Sequence, residues 1–160
     1  MTDPRVAALE VELSLLARHH LHPSQHGPDR LLDRSGYALL SRLELGPLNL
    51  KQLAEAFRLD PSTVNRQVNA LVRARLLEKV PDPNGAVARV LRPTAEGLRL
   101  LHADRAVVRE QVGRVLEGWD STEVEELSRL LEKLNGSIEA LEGRPWPRVA
   151  PVGHGRGART

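Results

Sequence analysis

Apolar residues recur at alternating intervals of three and four along three long stretches of this 160-residue chain. Val6, Leu9, Leu13 and Leu16, continued by His20, place the first stretch in a helix over about residues 4–22, which Pro23 ends. Leu98, Leu101, Arg105, Val108, Val112, Val115 and Trp119 place the second over about 94–118, with Thr94 as its N-cap and Arg105 as the one charged interruption. Val124, Leu127, Leu131, Leu134, Ile138 and Leu141 place the third over about 120–142. There Asp120 and Glu123 have capping-box spacing, and Gly143 and Pro145 close the helix. These narrow seams come from both ends of the chain and exceed what one small domain can cover, which argues for a symmetric dimer over a monomeric bundle.

Between the seams the elements are shorter. Ser35 to Leu45 reads as a helix with Tyr37, Leu39, Leu40 and Leu43 inward, stopped by Gly46-Pro47. Asn49 caps the next, with Gln52 three residues on and Leu50, Leu53, Ala54 and Phe57 inward. Asp60-Pro61 supplies a cap and a first-position proline for a helix to about Arg75, burying Val64, Val68, Leu71 and Val72. Two extended runs, Leu76 to Val80 and Ala86 to Arg92, then flank Asn84-Gly85, whose preference for positive φ makes a hairpin ribbon with a projecting tip. Pro81 and Pro83 are expected to interrupt ladder pairing near that tip. The fold class is therefore mainly α with a small β-ribbon: a winged helix-turn-helix at about 35–93 between N- and C-terminal dimerisation helices. Residues 1–142 form a single domain in this reading.

Composition narrows the function. Hydrophobic residues at 41% and charged residues at 28% suit a globular domain, and aromatics at 2% exclude a base-stacking platform for single strands. Zero cysteines remove disulfides, thiolate metal sites and catalytic thiols. No basic leader precedes an apolar run, and no segment approaches the roughly 18 apolar residues of a membrane span. The expectation is a soluble cytoplasmic protein with no membrane partner. Net charge is only +2 but unevenly spread: residues 33–92 carry ten Lys and Arg against six Asp and Glu, and residues 94–142 carry six against eleven. The tail at 143–160, with Arg144, Arg148, Arg156 and Arg159 and no acid, reads as a disordered basic terminus.

Chemistry concentrates on the helix from Pro61. At 100° per residue, Ser62, Arg66, Asn69 and Arg73 lie opposite its apolar face, flanked by Thr63 and Asn65, and no acid occurs between Pro61 and Leu77. Arginine can donate two bonds to a guanine edge, asparagine can pair with adenine, and hydroxyls at a helix N-terminus suit groove or backbone. Any amphipathic helix has a polar face, but the cap, the preceding helix and the ribbon specify the same motif independently. The alternative from another class is an architectural DNA binder, or a protein-contact module, without strong sequence preference.

The stretch from Gly46-Pro-Leu-Asn-Leu-Lys-Gln-Leu-Ala-Glu-Ala-Phe to Asp60-Pro-Ser-Thr-Val-Asn-Arg-Gln-Val-Asn-Ala-Leu-Val, followed by Leu76-Leu-Glu-Lys-Val-Pro-Asp-Pro and Thr94-Ala-Glu-Gly97, resembles the MarR family of bacterial transcriptional regulators. The resemblance implies a triangular homodimer with interlocking terminal helices, recognition helices in the major groove of double-stranded DNA and wings in the minor groove. It gives as DNA-binding candidates Asn49, Lys51, Ser62, Thr63, Asn65, Arg66, Asn69, Arg73 and Arg89. It also implies that a pocket for a small-molecule effector, where one exists, lies between the dimer helices and the DNA-binding lobe, with His20, His22 and Tyr37 as candidates. Two departures stand out. The family's wing usually carries Asp-x-Arg where this chain has Asn84, Gly85, Ala86 and Val87, with Arg89 the nearest base. Arg75 stands where the family usually has a helix-ending glycine, so it must adopt a left-handed backbone or extend the helix.

His19, His20, His22 and His26 crowd the first helix end and its following loop, but Pro23 keeps them off one face and no acidic pair completes a ligand set, so a polar helix end is the reading and no metal is expected. His102 is a further candidate for that region. With no phosphate loop, nucleophile elbow or metal-ligand motif, catalytic residues and cofactors are not expected.

Overall fold

The computed structural model describes residues 3–18, 31–82, 85 and 89–148. Their elements run α1 (Pro4–Arg18), α2 (Arg34–Glu44), α3 (Leu50–Phe57), α4 (Pro61–Arg73), β1 (Leu77–Pro81), β2 (Arg89–Pro93), α5 (Ala95–Val115) and α6 (Ser121–Glu142). The chain forms two compact units, residues 1–118 and 119–160. Mainly helical content with one small ribbon is the fold class that the periodicity predicts.

In the first unit, Leu39, Leu40 and Leu43 of α2, Leu53 and Ala54 of α3, Val64, Val68 and Leu71 of α4, Leu76, Leu77 and Leu91 of the ribbon and Leu101 of α5 bury one another in a single cluster with Leu32. Tyr37, Leu50, Phe57 and Val72, expected inward, pack half-buried at its margin. The strands pair antiparallel from Leu77 opposite Pro93 to Pro81 opposite Arg89, and Arg92 reaches across to its register partner Glu78 at 2.7 Å. Leu48, in the turn between α2 and α3, accepts from Leu91 N at 2.8 Å and ties the base of the wing to the helices.

The first strand begins one residue later than the alternation predicts. Leu76 is consumed by the end of α4, its N donating to Leu71 O at 2.9 Å, and its own carbonyl accepts from Thr94 N at 3.0 Å, so pairing can open only at Leu77. Pro81, expected to interrupt pairing near the tip, is the last residue of β1 and stands opposite Arg89. Pro83, Asn84 and residues 86–88 lie outside the described residues. So do residues 19–30, with which go the continuation of the first helix to residue 22, the four-histidine cluster and both pocket histidines, His20 and His22.

Beside Leu101 in the core, contacts at three places join α5 to the rest of its unit. Asp104, 1% exposed, accepts from the backbone N of Leu31 and Leu32, each at 3.1 Å, and so fastens the chain that leads into α2. Arg105, the charged break in the apolar seam, points its Nη1 to within 2.7 Å of Glu44 Oε2. That contact is charge against charge, since the oxygen has no well-angled hydrogen bond. His102 Nε2 meets the other oxygen, Oε1, at 2.6 Å, so this histidine pairs with α2. Third, the first turn of α5 lies directly on Leu76: a β-carbon on Gly97 would overlap Leu76 O and crowd Leu40 Cδ2 at 3.2 Å.

In the second unit Asp120 and Glu123 complete both halves of the predicted capping box, at 2.9 Å each. Gly143 ends α6 in the left-handed conformation at φ 66°. Arg148 then returns onto α6, its Nη2 2.7 Å from Glu139 Oε1, so the first residues past the helix are held by an ion pair; residues 149–160 are not among those described.

Gly97→Ala should destabilise the protein by about 1 to 3 kcal/mol, because the overlapping atom is backbone and cannot swing aside; urea denaturation measures it, and a loss smaller than this range means that α5 can lift off Leu76. A pH dependence follows from Glu44. Burial pushes its carboxyl up, but the hydrogen bond with His102 and the positive charge of Arg105 beside it outweigh burial and hold it below the ordinary carboxylate value. The pair's contribution is then complete above the unfolded carboxyl's value, 4.5, and is lost as pH falls through the lower folded value. Urea midpoints of wild type and Glu44→Gln should differ near neutrality and converge as pH drops below that point.

Candidate nucleic-acid interface

Local capping fixes both helices of the turn. Asn49 Oδ1 accepts from Gln52 N at 2.9 Å while Asn49 N donates to Gln52 Oε1 at 2.8 Å, the full capping box. The Asn49 carbonyl oxygen is thus committed to α3, which leaves its Nδ2 as the group with donors for a phosphate. Lys51 is exposed in the first turn of α3. Asp60 Oδ1 accepts from Ser62 N at 2.8 Å and Pro61 occupies the first helical position, so α4 starts rigidly. The hydroxyl and backbone of Ser62 lower the Asp60 carboxyl below its ordinary value, which keeps that cap charged.

Val64, Val68 and Leu71 bury one face of α4, and the other presents the residues that the helical wheel selects. Ser62, Asn65, Arg66 and Arg73 are exposed, and Thr63 and Asn69 are half-buried on the flanks. Asn69 Nδ2 donates to Asn65 Oδ1 at 3.2 Å, and Lys79 of β1 approaches Asn69 Oδ1 at 3.5 Å. The asparagine pair is therefore oriented one turn apart along the helix and linked to the wing strand. Lys79 escaped the sequence reading because its partner lies ten residues away in another element, and no helical or strand period relates the two.

Arg89 is exposed at the first residue of β2, opposite Pro81. At the wing tip, Gly85 holds φ 80° and its N donates to Asp82 O at 3.0 Å. Of the pocket candidates only Tyr37 is described; it packs half-buried against the core on α2. The structure therefore brings Ser62, Thr63, Asn65, Arg66, Asn69 and Arg73 onto one helix. Asn49 and Lys51 stand at the start of the preceding helix, and Arg89 stands on the wing.

Arg75 resolves the alternative left open by the missing glycine: it is left-handed, at φ 60°, and α4 ends at Arg73. Arg58, in the turn between α3 and α4, is left-handed as well, at φ 52°.

The arrangement has close counterparts. Residues 32–86 match the profile of the MarR family. An HTH-type transcriptional regulator of Bacillus subtilis strain 168, YxaD, is 35% identical over 132 residues, which cover 81% of this chain and 92% of the relative. A MarR family protein from Bacillus stearothermophilus superposes with a TM-score of 0.68 at 26% identity, over 86% of this chain and 98% of that one. RV1404 from Mycobacterium tuberculosis superposes with a TM-score of 0.66, also at 26% identity, over 91% and 97%. With its capped turn, its acid-free helix and its wing, the chain belongs to the MarR family of winged helix-turn-helix transcriptional regulators, which are DNA-binding proteins and not enzymes.

Proposed function

We propose that the chain acts in the cytoplasm as a homodimer that binds an inverted-repeat operator, with α4 of each protomer in the major groove. The observation that carries this reading is the outer face of α4: exposed, free of acids from Pro61 to Leu77, and fixed at its N-terminus by the Asp60 cap and Pro61. Arg66 lies nearer the N-terminal end that enters the groove and reads bases, while Arg73, two turns on, meets phosphate. Asn49, Lys51 and Arg89 add backbone contacts on either side, and Ser62, Thr63, Asn65 and Asn69 add hydrogen-bonding groups to the reading face.

Dimerisation is supported by apolar side chains that one chain leaves in water. Val6, Leu9, Leu13 and Leu16 of α1 are 39–54% exposed, and Leu127, Leu130, Leu131 and Ile138 of α6 are 36–47% exposed. Repeated at helical spacing on terminal helices, such residues suit burial against a second copy. Regulation by a small molecule bound beside α2, near Tyr37, extends this reading from the family.

Arg66→Ala should weaken binding to the preferred site by about 1 to 3 kcal/mol per half-site and relax preference at one base pair. Arg73→Ala should instead weaken preferred and random duplexes alike and flatten the salt dependence by about one contact per subunit. Fluorescence titrations at several salt concentrations separate the two, and equal losses on every duplex for Arg66→Ala would reduce it to a backbone contact. Changing Leu131 and Leu134 together to Asp should yield monomers or unfolded chain in light scattering, since buried unpaired charge is costly. A folded dimer in that variant would place the interface elsewhere.

A further inference from the structure

Among the described residues, two other than glycine hold a left-handed backbone, Arg58 and Arg75, and both are exposed arginines. They bracket α4, Arg58 three residues before its first residue and Arg75 two after its last. Each occupies the same place in the same helix-ending motif. After α3, Leu59 N donates to Ala54 O at 3.1 Å and Arg58 N to Glu55 O at 3.3 Å; after α4, Leu76 N donates to Leu71 O at 2.9 Å and Arg75 N to Val72 O at 3.0 Å. Glycine fits that place freely, whereas any side chain there meets a steric penalty.

The chain does use glycine where helices elsewhere end with positive φ: Gly46 after α2 (149°), Gly118 after α5 (92°) and Gly143 after α6 (66°). Among the described helix ends, arginine replaces it only at the two that border the reading helix. Compensation of the helix dipole is a weak reason at the second, because Arg73 already supplies a cation to the last turn of α4.

Geometry supplies a stronger reason. A helix of 13 residues is about 20 Å long, and the major groove is about 12 Å wide. Set at an angle to the groove, α4 carries the residues just beyond its two ends over the sugar-phosphate strands. We propose that Arg58 and Arg75 are phosphate clamps, guanidinium groups that grip the DNA backbone on either side of the groove filled by α4, and that the strained backbone is kept for the charge it presents. The ligand is the phosphodiester, taken without regard to sequence, and the planar guanidinium can hold two of its oxygens at once. This rests on α4 being the helix that enters DNA.

The test sets stability against binding in the full chain. Arg58→Gly and Arg75→Gly relieve the strain, and each should melt roughly 2 to 4 °C above wild type. Each should nonetheless bind more weakly to a duplex recovered by selection from random sequence and to a random duplex of equal length, by similar factors. The plot of log affinity against log salt should flatten by about one contact per subunit for each substitution. Arg58→Lys and Arg75→Lys, which keep both charge and strain, should retain the wild-type slope. Glycine variants that gain stability with affinity and slope unchanged would overturn the clamp. So would a glycine variant that melts below wild type, or one that loses base preference with its slope intact. Arg66→Ala titrated in parallel distinguishes the failures: a loss there beside unaffected glycine variants removes only the clamp, while no loss in any variant removes α4 from the groove altogether.

Discussion

The junction around Leu76 sets the relation between α4, the wing and α5. Thr94 N donates to Leu76 O at 3.0 Å, and Thr94 Oγ1 donates to Arg75 O at 2.8 Å while accepting from Gly97 N at 3.0 Å. One residue therefore caps α5, closes the end of α4 and fixes where the ribbon begins. Only glycine at position 97 lets the backbones come this close. The left-handed turn at Arg75 is the other half of the same constraint, since it sends the chain from α4 straight into β1. The mutual angle of α4 and the wing is thus fixed by backbone hydrogen bonds, which tolerate little play.

Charge inside the first unit is used to attach elements. Asp104 is buried yet accepts from two backbone amides, so its desolvation is offset by hydrogen bonds that no apolar residue could make. Glu44 holds both His102 and Arg105 from α5 and explains why an arginine interrupts that helix's apolar seam. Farther along α5 the apolar residues become exposed, as with Val112 and Val115, and this half of the helix carries the seam outward. One helix thus joins a core-packed half to a half that is apolar and uncovered.

Around α4 the stiffness is local. Asp60 and Pro61 fix the start of α4, Val64, Val68 and Leu71 fix its roll, and the Asn65, Asn69 and Lys79 chain ties its polar flank to the wing. In the proposed reading, a face held at its start, along its length and through the wing would lose little conformational entropy on entering a groove, leaving more of each contact's energy for discrimination.

Much of this was legible in one dimension because it is periodic or local. Helical spacing marked out the helices and both faces of α4, and the caps at Asn49, Asp60, Thr94 and Asp120 follow from residue types within three positions of each helix start. Tertiary structure decided what depends on residues far apart in sequence. The start of the first strand moved because Leu76 is shared between the end of α4 and Thr94, which stands 18 positions later. Arg105 looked like a flaw in a seam until Glu44 faced it, and Asp104 gave no signal at all, because its partners are backbone amides more than 70 residues away. The residue at position 75 could be seen to lack glycine's freedom, but choosing between a longer helix and a strained turn needed the competing pull of the ribbon and of α5, which only the folded chain supplies.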